Sequence, residues 1–250
     1  MALSEEARAR LVPQVAEIIG RYPKARSALL PLLHLVQSQE GYVSQDGIEF
    51  CSEQLGLTEA DVTGVASFYT MFKRKPVGEY HVGVCTTALC AVMGGDAILA
   101  DLKEHLGVEV DEPTPDGKVS VEHVECNAAC DYAPVVMVNW EFFDNMTPAS
   151  ARDLVDGLRI GADVKPTRGA PQLCTWKQAS KILAGFPDGQ GAEGHTAGDP
   201  TLAGLRIAKE QGWRPDGGGT ANSSAANSSA ANSSAANSSA ASPRPVEGQQ

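Results

Sequence analysis

Two cysteine pairs constrain this chain more than any other feature: Cys85-Thr-Thr-Ala-Leu-Cys90 and Cys126-Asn-Ala-Ala-Cys130. Each pair follows a run that reads as a buried strand, Tyr80-His-Val-Gly-Val-Cys85 and Val119-Ser-Val-Glu-His-Val124. Two strand ends that each deliver a pair of thiolates can converge on one metal centre. Thiolates select soft or borderline metals, chiefly zinc, copper(I) and iron–sulfur clusters. Zinc sites favour tight Cys-x2-Cys knuckles, whereas the gaps here are four and three residues. A wider chelate suits two sulfide-bridged irons, and plant-type ferredoxins also open with Cys-x4-Cys. The loop residues Thr86, Thr87, Ala88, Asn127, Ala128 and Ala129 are small or polar, so backbone N–H groups can approach sulfur and tune the reduction potential. On this chemistry a [2Fe–2S] cluster ranks ahead of a zinc site, and a dithiol redox pair comes third. Four cysteines satisfy one such cluster and leave no position for substrate. The centre then carries single electrons, and one loop per iron is the simpler arrangement.

The rest of the chain fits an intracellular electron carrier. The N-terminal Met-Ala-Leu-Ser-Glu-Glu lacks the basic patch and apolar run of a secretory signal. No stretch approaches the roughly 20 apolar residues that cross a bilayer. A soluble protein in a reducing compartment is expected, where paired cysteines serve metals rather than disulfides. The net charge of −11 is concentrated: residues 79–162 hold 4 basic and 15 acidic side chains, a net of −11, and the flanking segments nearly balance. That argues against nucleic acid, whose phosphates need Lys and Arg. It suits docking on a basic protein surface, and it lowers the potential of an enclosed cluster.

Taken in order, residues 1–75 read as a helical module. Ser4 caps a first helix that carries Leu11, Val15 and Ile18, and Pro13 is expected to kink it or set its start. A second helix runs from about Ser27 to Gly41, a third over 45–54, and a fourth begins at the capping sequence Thr58-Glu-Ala-Asp61. Cys51 falls on an apolar face as a core filler. Lys73-Arg-Lys-Pro76 reads as a solvated connector. Residues 79–162 then give strand, helix (91–106), strand (118–124), strand (135–139) and helix (148–158), the β-α-β-β-α order of a thioredoxin-like half-domain. Beyond Gly161 the packing signal fades. Residues 163–216, with the lone Cys174, read as an extension suited to wrapping a partner. Residues 217–250 repeat Asn-Ser-Ser-Ala-Ala and read as a disordered low-complexity tail. Asn222-Ser-Ser matches a glycosylation sequon, read as chance in a chain without a secretory signal. No catalytic group stands out: there is no phosphate-binding glycine loop, His81 and His123 have structural or surface roles, and Tyr132 and Trp140 are packing aromatics.

Around the cysteine loops the sequence resembles the 24-kDa, or E-type, family of subunits of proton-pumping NADH:quinone oxidoreductase, respiratory complex I. The likeness runs from about Tyr22 to Ile160. It is carried by Gly41-Tyr-Val43, Val65-Ala-Ser-Phe-Tyr-Thr70, Cys85–Cys90 and Val124-Glu-Cys-Asn-Ala-Ala-Cys-Asp-Tyr-Ala-Pro134. The resemblance implies an α+β chain: an N-terminal helical bundle, then a thioredoxin-like [2Fe–2S] ferredoxin domain. It implies Cys85, Cys90, Cys126 and Cys130 as the cluster ligands. A neighbouring subunit would bind FMN and NADH and pass single electrons here, and other peripheral-arm subunits would complete the partners. The chain would then sit in the cytoplasm, held through the complex at the inner face of the cell membrane without entering it. The related small subunit of NAD-linked hydrogenases or formate dehydrogenases shares this domain, and a zinc-stabilised interaction module is the reading from another class.

Overall fold

The computed structural model describes residues 3–189 and 197–213. The expected tail from 217 and the Asn222 sequon lie outside them. The chain divides into two compact units, Met1–Leu202 and Ala203–Gln250.

The first unit opens with four helices: α1 (Glu5–Gly20), α2 (Leu29–Glu40), α3 (Gln45–Leu55) and α4 (Glu59–Phe68). Their caps follow from the sequence. The hydroxyls of Ser4, Ser44 and Thr58 accept from Ala7, Gly47 and Asp61 N–H groups, and the Asp61 carboxylate accepts in turn from Thr58 N–H, completing a capping box. Gly41 and Gly56 end α2 and α3 in the left-handed conformation that glycine adopts without strain. Leu11, Val15, Ile18, Leu32, Leu33, Val36, Ile48, Phe50 and Cys51 pack into one core. Pro13 neither starts nor ends α1; the helix runs through it, anchored by the Ser4 cap more than two turns earlier. The second helix begins at Leu29 rather than Ser27, because residues Ala25–Ala28 form a 3₁₀ turn.

A four-stranded sheet follows, in the order β2-β1-β3-β4. Its strands are β1 (Tyr80–Cys85), β2 (Val119–Val124), β3 (Val136–Val138) and β4 (Glu141–Phe143). β1 and β2 are parallel, with Tyr80 opposite Val119 and Cys85 opposite Val124; β3 and β4 are antiparallel to their neighbours. Helix α6 (Gly95–Leu106) makes the crossover between the parallel strands, and α7 (Pro148–Ile160) packs beside it. Val82, Val84, Ile98, Leu102, Val119, Val121, Val136, Val138, Leu154 and Val155 form this second core. The helix expected over 91–106 is broken: α5 (Ala88–Val92) ends at Met93, and Gly94, at φ 113°, turns the chain before α6 starts.

Two expectations about the connections change. Lys73 is not a solvated connector residue. It is 9 % exposed, its N–H donates to Gln37 Oε1 (2.8 Å), and its carbonyl accepts from Val43 N–H (2.7 Å). The Lys73 ammonium meets both Glu122 carboxylate oxygens on β2 at 2.6 Å. Packing also continues past Gly161. Helix α8 (Trp176–Leu183) lies on α2, Trp176 is 1 % exposed, and its indole N–H donates to Gly41 carbonyl at 2.7 Å. The extension therefore packs on its own chain as far as Phe186. Helix α9 (Asp199–Glu210) follows, with Leu202, Leu205 and Ile207 exposed.

Candidate metal centre

The parallel pairing of β1 and β2 sets the geometry. Because Cys85 and Val124 are opposite one another at the carboxyl ends, the loops holding Cys90 and Cys126–Cys130 leave the sheet at the same edge. The third strand enters from that edge, and Cys85 N–H donates to Val135 carbonyl at 3.1 Å. Cys85, Cys90, Ala129, Ala133 and Val135 form a small buried cluster there, flanked by Val124, Tyr132 and Phe142. Cys85 and Cys90 are buried, and Cys126 and Cys130 are exposed.

The Sγ atoms of Cys126 and Cys130 lie 3.8 Å apart. Two thiolates on one tetrahedral metal, with metal–sulfur bonds of about 2.3 Å, stand about 3.8 Å apart. Cys85 and Cys90 share the small buried cluster at this edge. Among the described residues, no three His, Cys, Asp or Glu side chains close around a single ion. Cys126 and Cys130 thus form one close pair, and Cys85 and Cys90 lie buried behind the same edge. Burial pushes the Cys90 thiol up to about 11. At Cys130 the shared hydrogen bond with Cys126, then the repulsion between them, act in the same direction. Metal bound by thiolates reverses these preferences and releases protons.

Backbone and neighbours shape the loops. Ala128 sits at φ 54°, a left-handed value unusual for alanine, and its N–H points at Cys126 Sγ (3.3 Å). Gly95 has no left-handed φ, yet a Cβ there would lie 2.4 Å from Cys85 carbonyl and 2.9 Å from Cys90 carbonyl. Any side chain at that position pushes the first loop outward. Pro134 follows the second loop on a cis peptide bond. Asn145 N–H donates to Tyr132 carbonyl, and Met146 N–H to Pro134 carbonyl, both at 2.9 Å. The Arg168 guanidinium lies 4.0 Å from the Phe142 ring centre and 4.9 Å from that of Tyr132, and it pairs with the buried Asp144 carboxylate at 2.9 Å. Asn127 Nδ2 is shut off from solvent and finds no acceptor among the described residues. Such an amide costs roughly 1–3 kcal/mol unless a partner arrives, and a bound group with acceptor atoms fits that need.

Sequence reasoning passed over Asn145 and Arg168 as parts of this site. Gly94-Gly95 offered a signal for close approach, while Arg168 gave none, since only the fold brings it to Tyr132. His81 is a buried structural residue on β1. Its Nε2 lies 2.6 Å from Glu122 and its Nδ1 3.0 Å from Ser120 Oγ, which also accepts from Gly78 N–H. That pattern fits a neutral imidazole protonated at Nε2, and burial holds its pKa below the usual histidine range. Glu122 is raised by its own burial, but the His81 hydrogen bond and the Lys73 charge outweigh this and leave it low. His123 is exposed, and Trp140 is half-buried with its ring centre 5.6 Å from that of Trp176, in keeping with a packing role. Cys174 stands apart, partly buried, with burial pushing its thiol up to about 11.

A mixed sheet with a parallel βαβ crossover, and paired thiols at its carboxyl edge, defines a thioredoxin-like electron carrier. The chain belongs to the thioredoxin-like [2Fe–2S] ferredoxin family, whose pattern matches residues 15–159. It is 64 % identical over 203 residues to the E-type subunit of the NADH-quinone oxidoreductase of Mycobacterium tuberculosis H37Rv, covering 81 % of this chain and 80 % of that one. It is 40 % identical to NADH-quinone oxidoreductase subunit 2 of Thermus thermophilus, over 58 % of this chain and 82 % of that one. It is 40 % identical to the mitochondrial NADH dehydrogenase [ubiquinone] flavoprotein 2 of Dictyostelium discoideum, over 64 % of each. An NAD+-reducing [NiFe]-hydrogenase structure aligns with 53 % of this chain and 23 % of its own, at TM-score 0.48 and 20 % identity.

Proposed function

We propose that this chain is the electron-transfer subunit of an NADH:quinone oxidoreductase, with Cys85 and Cys90 holding one iron of a [2Fe–2S] cluster and Cys126 and Cys130 the other. The observation that carries the ligand assignment is the common edge: parallel β1 and β2 bring both thiol pairs out together, one pair at the bite of a single tetrahedral metal. Membership of the [2Fe–2S] family and the relatives named as oxidoreductase subunits support the rest. When bound, the cluster supplies one-electron transfer. The chain's residues hold it and keep its inner face dry: Cys85, Cys90, Ala129 and Val135 are each 5 % exposed or less, and Cys126 and Cys130 face outward. An exposed pair gives a partner's donor group a short path, and no group of this chain need handle substrate.

The electron donor in this reading is the FMN of an adjoining NADH-binding subunit. The acidic balance of residues 79–162 and the exposed Leu89, Val92 and Met93 beside Cys90 suit a partner face that is part apolar, part basic. No helix among the described residues is long and apolar enough to cross a membrane. The chain then reaches the inner face of the cell membrane only through its complex.

Anaerobic purification with iron and sulfide analysis, followed by electron paramagnetic resonance of the reduced protein, tests this. Two irons and two sulfides per chain are expected. Cys126→Ser should lose or reshape the signal, while Cys174→Ser should leave it unchanged. Equal effects of the two substitutions, or one zinc and no iron, would sink the assignment.

A further inference from the structure

Asn127 lies between the two cysteines of the exposed pair, one residue from Cys126 and three from Cys130. Its Nδ2 is buried without a partner among the described residues, although the side chain belongs to a loop at the surface. The buried cluster behind the two loops is made by Cys85, Cys90, Ala129, Ala133 and Val135, and sulfur is the only acceptor those side chains offer. The neighbouring Ala128 N–H already faces Cys126 Sγ at 3.3 Å. The left-handed turn at Ala128 makes the loop curl so that this N–H meets the sulfur of its own loop, and Asn127 is the residue next to it.

We propose that the Asn127 side-chain amide donates a hydrogen bond to a sulfur of the [2Fe–2S] cluster and raises its reduction potential. The inference rests on the ligand assignment made above. Its physical basis is charge: reduction adds one electron and no proton, the sulfurs become more negative, and an N–H donor stabilises that state more than the oxidised one. The acidic segment around the centre pulls the potential the other way, so Asn127 acts as a local counterweight. It is a positioning and tuning residue, distinct from the four ligands.

The test compares the purified wild-type chain with Asn127→Leu and Asn127→Asp, which keep the approximate size and remove the amide donor. Potentiometric titration followed by electron paramagnetic resonance gives the midpoint. With two irons still bound, Asn127→Leu should shift the reduced-to-oxidised ratio at fixed potential roughly tenfold toward oxidised, about 59 mV for one electron. Asn127→Asp should shift it further, since it adds a negative charge. Resonance Raman spectra in H2O and D2O supply a readout that a merely structural role would not move: the variants should lose part of the wild-type deuterium shift in iron–sulfur stretching. Unchanged midpoints and unchanged deuterium sensitivity, with iron content intact, would overturn the inference alone. If the variants fail to hold iron, electron–nuclear double resonance on wild type carrying 15N in the asparagine side-chain amide decides. A hyperfine coupling supports the bond, and its absence refutes it. A wild-type chain without iron would overturn the ligand assignment and this inference together.

Discussion

Ala128 adopts φ 54° to turn its N–H onto Cys126, and a Cβ in that region costs roughly 1–2 kcal/mol. Glycine would relieve the strain but add unfolded-state entropy of a similar size. Ala128→Gly is therefore expected to keep stability within about 1 kcal/mol of wild type, measured by urea unfolding, and to keep its iron. Ala128→Val should lose roughly 1–3 kcal/mol and part of its iron, because a β-branched residue resists the left-handed region. Equal behaviour of the two would show that the turn does not shape the loop. At this scale the cysteine spacing was legible, since ligand type and gap are local properties. The buried state of Asn127 Nδ2 and the placing of Arg168 over Phe142 were not, because both depend on what other segments bring alongside.

Individual elements show where local signals suffice. Caps at Ser4, Ser44, Thr58, Thr147 and Thr175 begin their helices as their sequences dictate. The break between α5 and α6 was less visible: residues 91–106 read as one helix, and the left-handed Gly94 divides that stretch. That break lets Gly95 pack under the first loop, with no room for a Cβ beside the Cys85 and Cys90 carbonyls. Gly95→Ala should therefore bind less iron than wild type by colorimetric assay, whereas Gly64→Ala, at an open position, should not. Helix α8, with Trp176, Ala179 and Ser180 buried, was underestimated because its apolar face is only eight residues long and nothing local says what covers it. Its strength comes from the indole seated on α2. Trp176→Ala is expected to destabilise the protein by about 3–5 kcal/mol in chemical denaturation. A loss below about 1 kcal/mol would mean that α8 is a loosely held appendage.

Across the whole molecule, buried ionisable groups tie stability to pH. His34 is 5 % exposed, its ring lies 4.8 Å from that of Phe72, and burial lowers its pKa from 6.5 to about 4. Its folded pKa lies below its unfolded one, so the unfolded chain takes up the proton first as pH falls. Stability is then complete above about 6.5 and declines toward about 4. Between about pH 6.5 and 5 the loss from this group is about 2 kcal/mol. Denaturant unfolding at the two pH values should show that loss in wild type and less of it in His34→Phe, which keeps a ring against Phe72. His81 adds a loss in the same direction, and so does Glu122, whose low carboxylate contributes stability above its unfolded pKa and loses it as pH falls. An identical pH slope in wild type and His34→Phe would remove His34 from this account.

The sequence alone determined the donor chemistry, the helical first third and the alternation of strand and helix around the cysteines, because thiolate softness, capping hydroxyls and apolar periodicity act over a few residues. The tertiary structure decided that β1 and β2 run parallel and so present both thiol pairs at one edge. It also decided that Lys73 is buried against Glu122 and that α8 closes back on α2 of the same chain. These outcomes depend on which distant surfaces exclude water together, with Gln37 meeting Ser180 and Trp176 meeting Gly41 across more than a hundred residues of chain. Burial of that kind is a property of the packed whole, and no local pattern encodes it.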